Sequence, residues 1–149
     1  MNCFFCAPAD LNPDGLNLVF TPIERGALTE FNLPIKFQSY PGMGHGGILA
    51  GILDETMAYA GILELKCLPV TRNLHVMFRS KVPSGIIHTC EARIVSKSAT
   101  GFEAEATIRT LEGVRLMSAK GSFAILTRKA AEKILCVGKL ELGEFLRLI

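Results

Sequence analysis

One proline-free stretch of the sequence reads GILAGILDETMAYAGILEL, from Gly47 to Leu65. At about 1.5 Å per residue it would form a helix about 28 Å long. Its apolar side chains fall on every side of the helical wheel, and only Asp54 and Glu55 interrupt them in the middle. A helix that is apolar all round is normally buried all round. The stretch therefore predicts one long central helix with other structure packed around it.

Downstream of this helix the hydrophobic pattern changes to a period of two, which is typical of strands with one buried face. The alternation predicts four strands, at residues 73–79, 87–97, 102–109 and 114–126. Gly101 and Gly113 mark tight connections, and the last two strands form a hairpin. Parallel pairing would require crossover helices, which this part of the sequence lacks. We therefore expect an antiparallel sheet that wraps the helix.

Weaker strand signals precede the helix. Residues 16–21 alternate and predict a first strand that ends at Pro22, and residues 27–33 predict a second extended piece. Glycine and proline at residues 37–44 predict an irregular loop. Together these elements predict an α+β domain, residues 1–127, with a sheet of five to six strands. Amphipathic patterns at residues 128–135 and 141–149 predict a helical extension, residues 128–149, packed on the same domain.

The 149 residues carry 16 basic and 14 acidic side chains, a net charge of +2, and 49% of them are apolar. This composition is typical of one globular domain, and it excludes a disordered tail and a nucleic-acid surface. No stretch is apolar enough to span a bilayer, and the N-terminus lacks the features of a signal peptide. We therefore expect a cytoplasmic protein with no nucleic-acid or membrane partner.

The cysteines are an odd number in a domain that is large enough to fold without disulfides, so we interpret them as reduced thiols. They are Cys3, Cys6, Cys67, Cys90 and Cys136. The spacing Cys3-x-x-Cys6 resembles half of a zinc motif, but a structural zinc ion needs four ligands. No second pair and no nearby histidine completes the set. We therefore expect no metal, with a site shared between subunits as the alternative left open.

The helix follows His45-Gly46-Gly47, where two interpretations are open. The amides of Gly46, Gly47 and Ile48 have no acceptor within the helix, and the helix dipole adds partial positive charge there. Such an end can bind an anion or a developing oxyanion. A plain glycine-rich helix start explains the same residues, and from these three residues alone it is the interpretation that we favour.

Asp54 lies in the middle of the predicted buried helix, where a carboxylate is costly to desolvate without a polar partner or a function. Alternatively, Asp54 or Glu55 pairs with a basic neighbour or faces solvent along a thin stripe. The basic neighbours are Lys66, Arg72 and Arg79. Glu55 lies about 100° further round the helix, so at most one of the two carboxylates points into a given site.

Gly46 and Asp54 are separated by about 12 Å along a helix axis, so one small reacting centre cannot touch both. If both serve one substrate, two helices must lie antiparallel across a two-fold axis. The amide of one subunit then faces the carboxylate of the other. The small residues that would allow such an approach are Ala50, Gly51, Ala58 and Gly61.

The stretch from His45 to Glu55, HGGILAGILDE, resembles the signature of hotdog-fold acyl-CoA thioesterases of the phenylacetate-pathway type. Four further segments resemble a bacterial branch of that family. They are Cys3-x-x-Cys6 and residues 12–16 (NPDGL), 37–42 (FQSYPG) and 69–74 (PVTRNL). The resemblance covers roughly residues 3–126 and leaves the C-terminal extension unexplained.

This resemblance implies a hotdog fold and a homodimer whose sheets join edge to edge, often paired into a tetramer. It also implies an acyl-CoA substrate and no cofactor. In related enzymes the acidic residue at the Asp54 position acts on the thioester as nucleophile or general base, and the amide at the Gly46 position polarises the carbonyl. We expect the neighbouring His45, Gly47 and Glu55 to contact the substrate.

Ser39 lies seven residues before Gly46. Better-studied branches of the family carry Asn or Gln at this position, so the chain departs from them here. That longer side chain helps to position the attacking water or the thioester. We expect Gln38 or Ser39 to take this role, with a loop that gives no assistance as the alternative.

These observations favour hydrolysis of an acyl-CoA thioester by Asp54 and the Gly46 amide across a dimer interface. A non-catalytic hotdog module that binds acyl-CoA or a related ligand is the main alternative. The presence of Asp54 argues against it, because a pure sensor gains nothing from a buried carboxylate. A dehydratase fits less well, since the sequence around His45 does not offer its His and Glu pattern.

Overall fold

The computed structural model describes residues 2–134, and its centre is one long helix. This helix, α1, spans Gly46–Leu65 and begins one residue earlier than the sequence predicts. His45 caps its start, because the extended backbone there lets the ring Nδ1 accept a hydrogen bond from the Gly47 amide. Lys66 ends the helix in the left-handed conformation, with a φ of 52°.

Residues 2–134 contain eight strands in addition to α1. They are β1 (Thr21–Ile23), β2 (Gly26–Asn32), β3 (Gln38–Tyr40), β4 (Met43–Gly44), β5 (Leu68–Phe78), β6 (Ile87–Lys97), β7 (Gly101–Thr110) and β8 (Arg115–Leu126). Six of them form one antiparallel sheet in the order β1-β2-β6-β7-β8-β5, and β3 pairs with β4 in a separate ribbon just before α1. The predicted architecture, one long helix against an antiparallel sheet of six strands, is confirmed.

Large side chains of the helix meet small side chains of the sheet in the core. The buried side of α1 supplies Leu49, Ile52, Leu53 and Met57. Alternate residues of β7 are buried, as its pattern predicts. The buried positions of the central strands include the alanines Ala92, Ala104, Ala106 and Ala119. Pairing large with small side chains in this way lets the helix lie close to the sheet at the density of a protein interior.

Two expectations about the segments before the helix are wrong. The first strand lies at Thr21–Ile23 rather than at residues 16–21, because its pairing with β2 begins at Thr21, opposite Leu28. Pro22 lies inside this strand, which is tolerated since β1 is at the edge of the sheet. Residues 38–44 are not irregular, because Gly42, with a φ of 75°, makes the turn that lets β3 pair with β4.

Only eight of the 20 residues of α1 are buried, so the helix is not buried on all sides, which corrects a further expectation. The N-terminal segment, residues 2–20, covers part of the side that faces away from the sheet. A Cβ on Gly51 would lie 2.1 Å from Cζ of Phe5, so this ring packs directly on the helix backbone. Phe20 stacks on Tyr59 with the ring centroids 4.0 Å apart. Both contacts hold the segment against α1.

A second helix, α2 (Arg128–Ile134), follows the sheet, and Ala131 on it is buried. It corresponds to the first of the two helices predicted after Thr127. The other predicted helix, residues 141–149, lies outside the described residues. Among the helices that the structure describes, none has both the length and the apolar character needed to cross a membrane.

Gly61 lies where α1 crosses Phe102 of β7. A Cβ on Gly61 would lie 2.3 Å from Cζ of Phe102, whose buried ring is stacked on Phe123 with centroids 4.9 Å apart. Because these packed rings have little room to move, we expect Gly61→Ala to lower the free energy of unfolding by about 1–3 kcal/mol. This would reverse the usual preference of helices for alanine over glycine. Urea denaturation measures the change.

A matched control keeps Gly61→Ala and replaces the ring of Phe102 with the smaller side chain of leucine. If the clash with Phe102 causes the loss, Gly61→Ala should cost less stability in a Phe102→Leu background than in the wild type. A double-mutant cycle gives the coupling. Equal costs in the two backgrounds would show that the ring is not responsible.

Candidate active site

Asp54 projects from the middle of α1 toward the start of β5. It is half-buried, and its Oδ1 accepts a hydrogen bond of 2.9 Å from the hydroxyl of Thr71. Thr71 lies beside a β-bulge, where the register between β5 and β8 shifts before Asn73. Bulges of this kind change the direction of side chains and are frequent next to active sites. The bulged strand thus presents a hydroxyl to the helix carboxylate.

The surroundings of Asp54 suit acid–base chemistry. Burial raises the pKa of Asp54 above its ordinary value of 3.8, whereas the hydrogen bond from Thr71 lowers it. Within residues 2–134, neither Asp54 nor Glu55 forms an ion pair with a basic side chain. The simple charge pairing considered from the sequence is therefore absent from the described residues. A half-buried carboxylate without a counter-ion can accept a proton or attack an electrophile.

One backbone amide stays available at the N-terminus of α1. The Gly47 amide donates to Nδ1 of His45 at 3.1 Å, and the Ile48 amide donates to the His45 carbonyl oxygen at 3.1 Å. His45 lies outside α1, so these two amides lack acceptors within the helix, as expected, but His45 already satisfies both. The Gly46 amide has no acceptor within the described residues. It therefore remains able to bind a carbonyl oxygen or an oxyanion at the positive end of the helix dipole.

A cavity of about 350 Å³ opens at this end of the helix. Leu49 and Phe78 give it apolar walls, and Gly46 borders it. Arg79 and Lys81 also line the cavity. This combination suits a ligand that carries both an apolar group and an anionic group.

The ribbon of β3 and β4 carries the two residues expected to position water. Gln38 pairs with Gly44 across the ribbon, and its side-chain amide donates a hydrogen bond to the hydroxyl of Ser84. Ser39 is exposed. Within residues 2–134, neither side chain hydrogen-bonds to Asp54 of the same chain.

Glu55 lies in different surroundings from Asp54, in agreement with the angle between the two on the helix. Its Oε1 accepts a hydrogen bond of 3.5 Å from the thiol of Cys3. The neighbour of Glu55 is therefore the N-terminal segment, whereas the neighbour of Asp54 is β5. Asp54 and Glu55 thus belong to separate clusters.

Strand β5 connects the two halves of the candidate site, which stay about 12 Å apart along the helix of one chain. Thr71 near its start contacts Asp54, and Phe78 at its end lies beside Gly46, where an added Cβ would be 3.1 Å from the ring. Sequence reasoning missed the contact of Thr71 with Asp54. Its one signal was the position of Thr71 in the PVTRNL segment, since the contact itself depends on how β5 folds back along α1.

The expected role of the small residues on α1 is wrong for two of them. Gly51 is covered by Phe5 and Gly61 is covered by Phe102, both from the same chain. These glycines allow packing within the chain rather than the approach of a second helix. Ala50 and Ala58 remain half-buried.

Comparison with known proteins identifies the family. The sequence model of the thioesterase superfamily matches residues 42–117, about half of the chain. No curated protein matches the chain in sequence.

Solved structures of thioesterases share the fold. A thioesterase superfamily protein has a TM-score of 0.71 and 24% identity, with 76% of this chain and 58% of that chain covered. The present chain thus spans less than two thirds of that protein. A hypothetical thioesterase from Streptococcus pneumoniae TIGR4, solved with coenzyme A, has a TM-score of 0.67 and 17% identity, with 73% and 88% covered.

A third structure is a putative thioesterase from Ralstonia eutropha JMP134, described as a phenylacetic acid degradation-related protein. It has a TM-score of 0.68 and 18% identity, with 80% of this chain and 91% of that chain covered. The family match begins just before α1 and includes both Gly46 and Asp54. The chain therefore belongs to the thioesterase superfamily, and its six-stranded sheet around one long helix is the hotdog fold.

Proposed function

We propose that this protein hydrolyses an acyl-CoA thioester to a carboxylic acid and CoA. Asp54 acts as general base on water or as nucleophile on the thioester carbonyl, and the amide of Gly46 of the partner subunit donates to the developing oxyanion. The observation that carries this proposal is the half-buried Asp54 carboxylate, held by Thr71 on a helix that begins with a free amide. In this proposal residues 1–127 are the catalytic domain, and residues 128–149 are its C-terminal extension.

The partner subunit is required because Gly46 and Asp54 of one chain cannot reach the same small group. β5 is an 11-residue strand at the edge of the sheet. An exposed edge of this length is a template for pairing with another strand. Two copies of β5, paired antiparallel about a centre near Leu74, would bring Phe78 close to Thr71 of the partner subunit. Gly46 would then approach Asp54 of the partner subunit, in a dimer or a dimer of dimers.

Two features support a CoA thioester as the substrate. Arg79 and Lys81 line the cavity beside Gly46, where they can pair with the phosphates of CoA. The neighbouring structure from Streptococcus pneumoniae contains coenzyme A. The ring of Phe78 beside Gly46 offers a surface for an aromatic acyl group, which agrees with the likeness to the phenylacetic acid degradation-related protein.

Thiol release from a panel of aromatic, short-chain and medium-chain acyl-CoA thioesters tests this function. We expect turnover of at least one acyl-CoA, with aromatic acyl groups among the best substrates. The same acyl groups on acyl carrier protein show whether the CoA portion is recognised. Tight binding of an acyl-CoA in calorimetry, without release above the spontaneous rate, would replace hydrolysis with the binding-module function.

A further inference from the structure

A cluster of ligand atoms lies on the side of α1 away from the sheet, at the contact with the N-terminal segment. Sγ of Cys3, Sγ of Cys6 and a carboxylate oxygen of Glu55 all lie within 4.8 Å of one another. All three residues are half-buried. The thiol of Cys3 donates to Oε1 of Glu55 at 3.5 Å. Neither thiol has a part in the proposed hydrolysis.

Hydrogen bonds within the turn of residues 3–6 hold the two thiols close together. The Phe5 amide donates a hydrogen bond to Sγ of Cys3 at 3.4 Å, and the Ala7 amide donates to the Cys3 carbonyl oxygen at 3.1 Å. These bonds curl residues 3–6 so that both sulfur atoms lie on one side. Hydrogen bonds of this kind orient the ligands of metal sites.

We propose that Cys3, Cys6 and Glu55 bind a thiophilic divalent cation such as Zn²⁺, with a fourth position open to water. The CxxC spacing and the S₂O donor set suit tetrahedral zinc. Zinc binds sulfur at about 2.3 Å and carboxylate oxygen at about 2.0–2.2 Å, which places ligand atoms about 3.5–3.8 Å apart. The ligand atoms here lie within 4.8 Å of one another, so rotations of the three side chains that move them by about 1 Å would reach this spacing. The third ligand escaped sequence reasoning because Glu55 is distant from the cysteines along the chain.

The three groups complement a divalent cation in charge. A coordinating thiol loses its proton outright, so the bound ion would face two thiolates and one carboxylate. The bound ion would then fasten the N-terminal segment to α1 next to Gly51.

Titration of the reduced, chelator-treated protein with Co²⁺, a coloured substitute for Zn²⁺, tests the site. We expect one equivalent to bind with a thiolate-to-cobalt charge-transfer band, and Zn²⁺ to displace it. Cys3→Ser and Cys6→Ser should remove the band, and Glu55→Gln should weaken binding at least about 10-fold. Cys67→Ser is the matched control, since its hydroxyl can replace the thiol that bonds to the Gly61 carbonyl oxygen.

A second measurement does not depend on how the variants fold. Zn²⁺ should raise the melting temperature of the wild type and protect two thiols from a thiol reagent, since an ion that binds the folded state stabilises it. The absence of a charge-transfer band in the reduced wild type would overturn the proposal. A band unchanged in both Cys3→Ser and Cys6→Ser, or equal affinity in Glu55→Gln, would also overturn it.

Discussion

Asp54→Asn should lower kcat for the best thioester of the panel about 100- to 10,000-fold, while KM changes by a few-fold at most. Asparagine has nearly the same shape and can still accept the hydrogen bond from Thr71. It cannot take a proton from water, and it is a poor nucleophile. The loss therefore isolates the carboxylate chemistry from binding. Steady-state thiol release measures it.

Glu64→Gln is the matched control, because Glu64 is an exposed carboxylate on the same helix. It removes one negative charge of α1 without touching Thr71 or the cavity, so it should keep the activity of the wild type. Thermal melts of both variants check that the fold is intact. If Asp54→Asn turned over substrate as fast as Glu64→Gln, Asp54 would have no catalytic role.

The pH dependence of kcat/KM also reports on the protonation of the Asp54 carboxylate. Because burial raises the pKa of Asp54, the acidic limb of the profile should lie above the ordinary value of 3.8. The Thr71 hydroxyl stabilises the charged form, so Thr71→Val should move this limb to higher pH. A limb that stays in place in Thr71→Val would show that another group controls it.

Gly46→Pro should lower kcat/KM about 100- to 1,000-fold, because it removes the one amide at this helix end that has no acceptor among the described residues. Proline fits the first helical position, where no amide hydrogen is needed for the helix. His45 is extended, with φ of −67° and ψ of 126°, as a residue before proline must be. Gly46→Ala keeps the amide and adds a similar contact with Phe78, so the difference between the two variants isolates the N–H group.

Mixing the two inactive variants tests whether the site is shared between subunits. If Asp54 of one chain works with Gly46 of the partner subunit, a mixed dimer of Asp54→Asn and Gly46→Pro contains one intact site. Co-expression in equal amounts makes about half of the dimers mixed, so about a quarter of the wild-type activity should return.

A site within one chain would give no recovery in this mixture. A chain that carries both substitutions, co-expressed with either single variant, is the control, since no combination of those chains restores an intact site. Recovery in that control would show contamination by wild-type protein.

Most of the fold could be predicted because its signals are local. The proline-free apolar stretch predicted α1 to within one residue, and the alternation in residues 102–109 predicted which face of β7 is buried. The first strand was misplaced because residues 16–21 alternate without a partner strand. Pairing, rather than pattern, determines where β1 begins.

The contacts of the candidate site were harder to predict, since they join residues far apart in the chain. The sequence pointed to Asp54 and to the start of the helix. It did not indicate that Thr71 would reach Asp54 or that the His45 ring would occupy the Gly47 amide. The neighbours of Gly51 and Glu55 likewise come from the N-terminal segment, whose course follows from tertiary packing rather than from any periodic pattern.

The strand order has a consequence for how the chain reaches this structure. The pairs β6–β7 and β7–β8 join sequence neighbours, whereas Asn32 of β2 pairs with Ile87 of β6 across all of α1 and β5. Bringing β2 to β6 must close this long loop, and chain entropy opposes that closure. A topology with such distant pairings folds more slowly than a helical bundle of equal length. The edge that holds β1 and β2 is therefore the part of the sheet whose formation depends most on the rest of the domain.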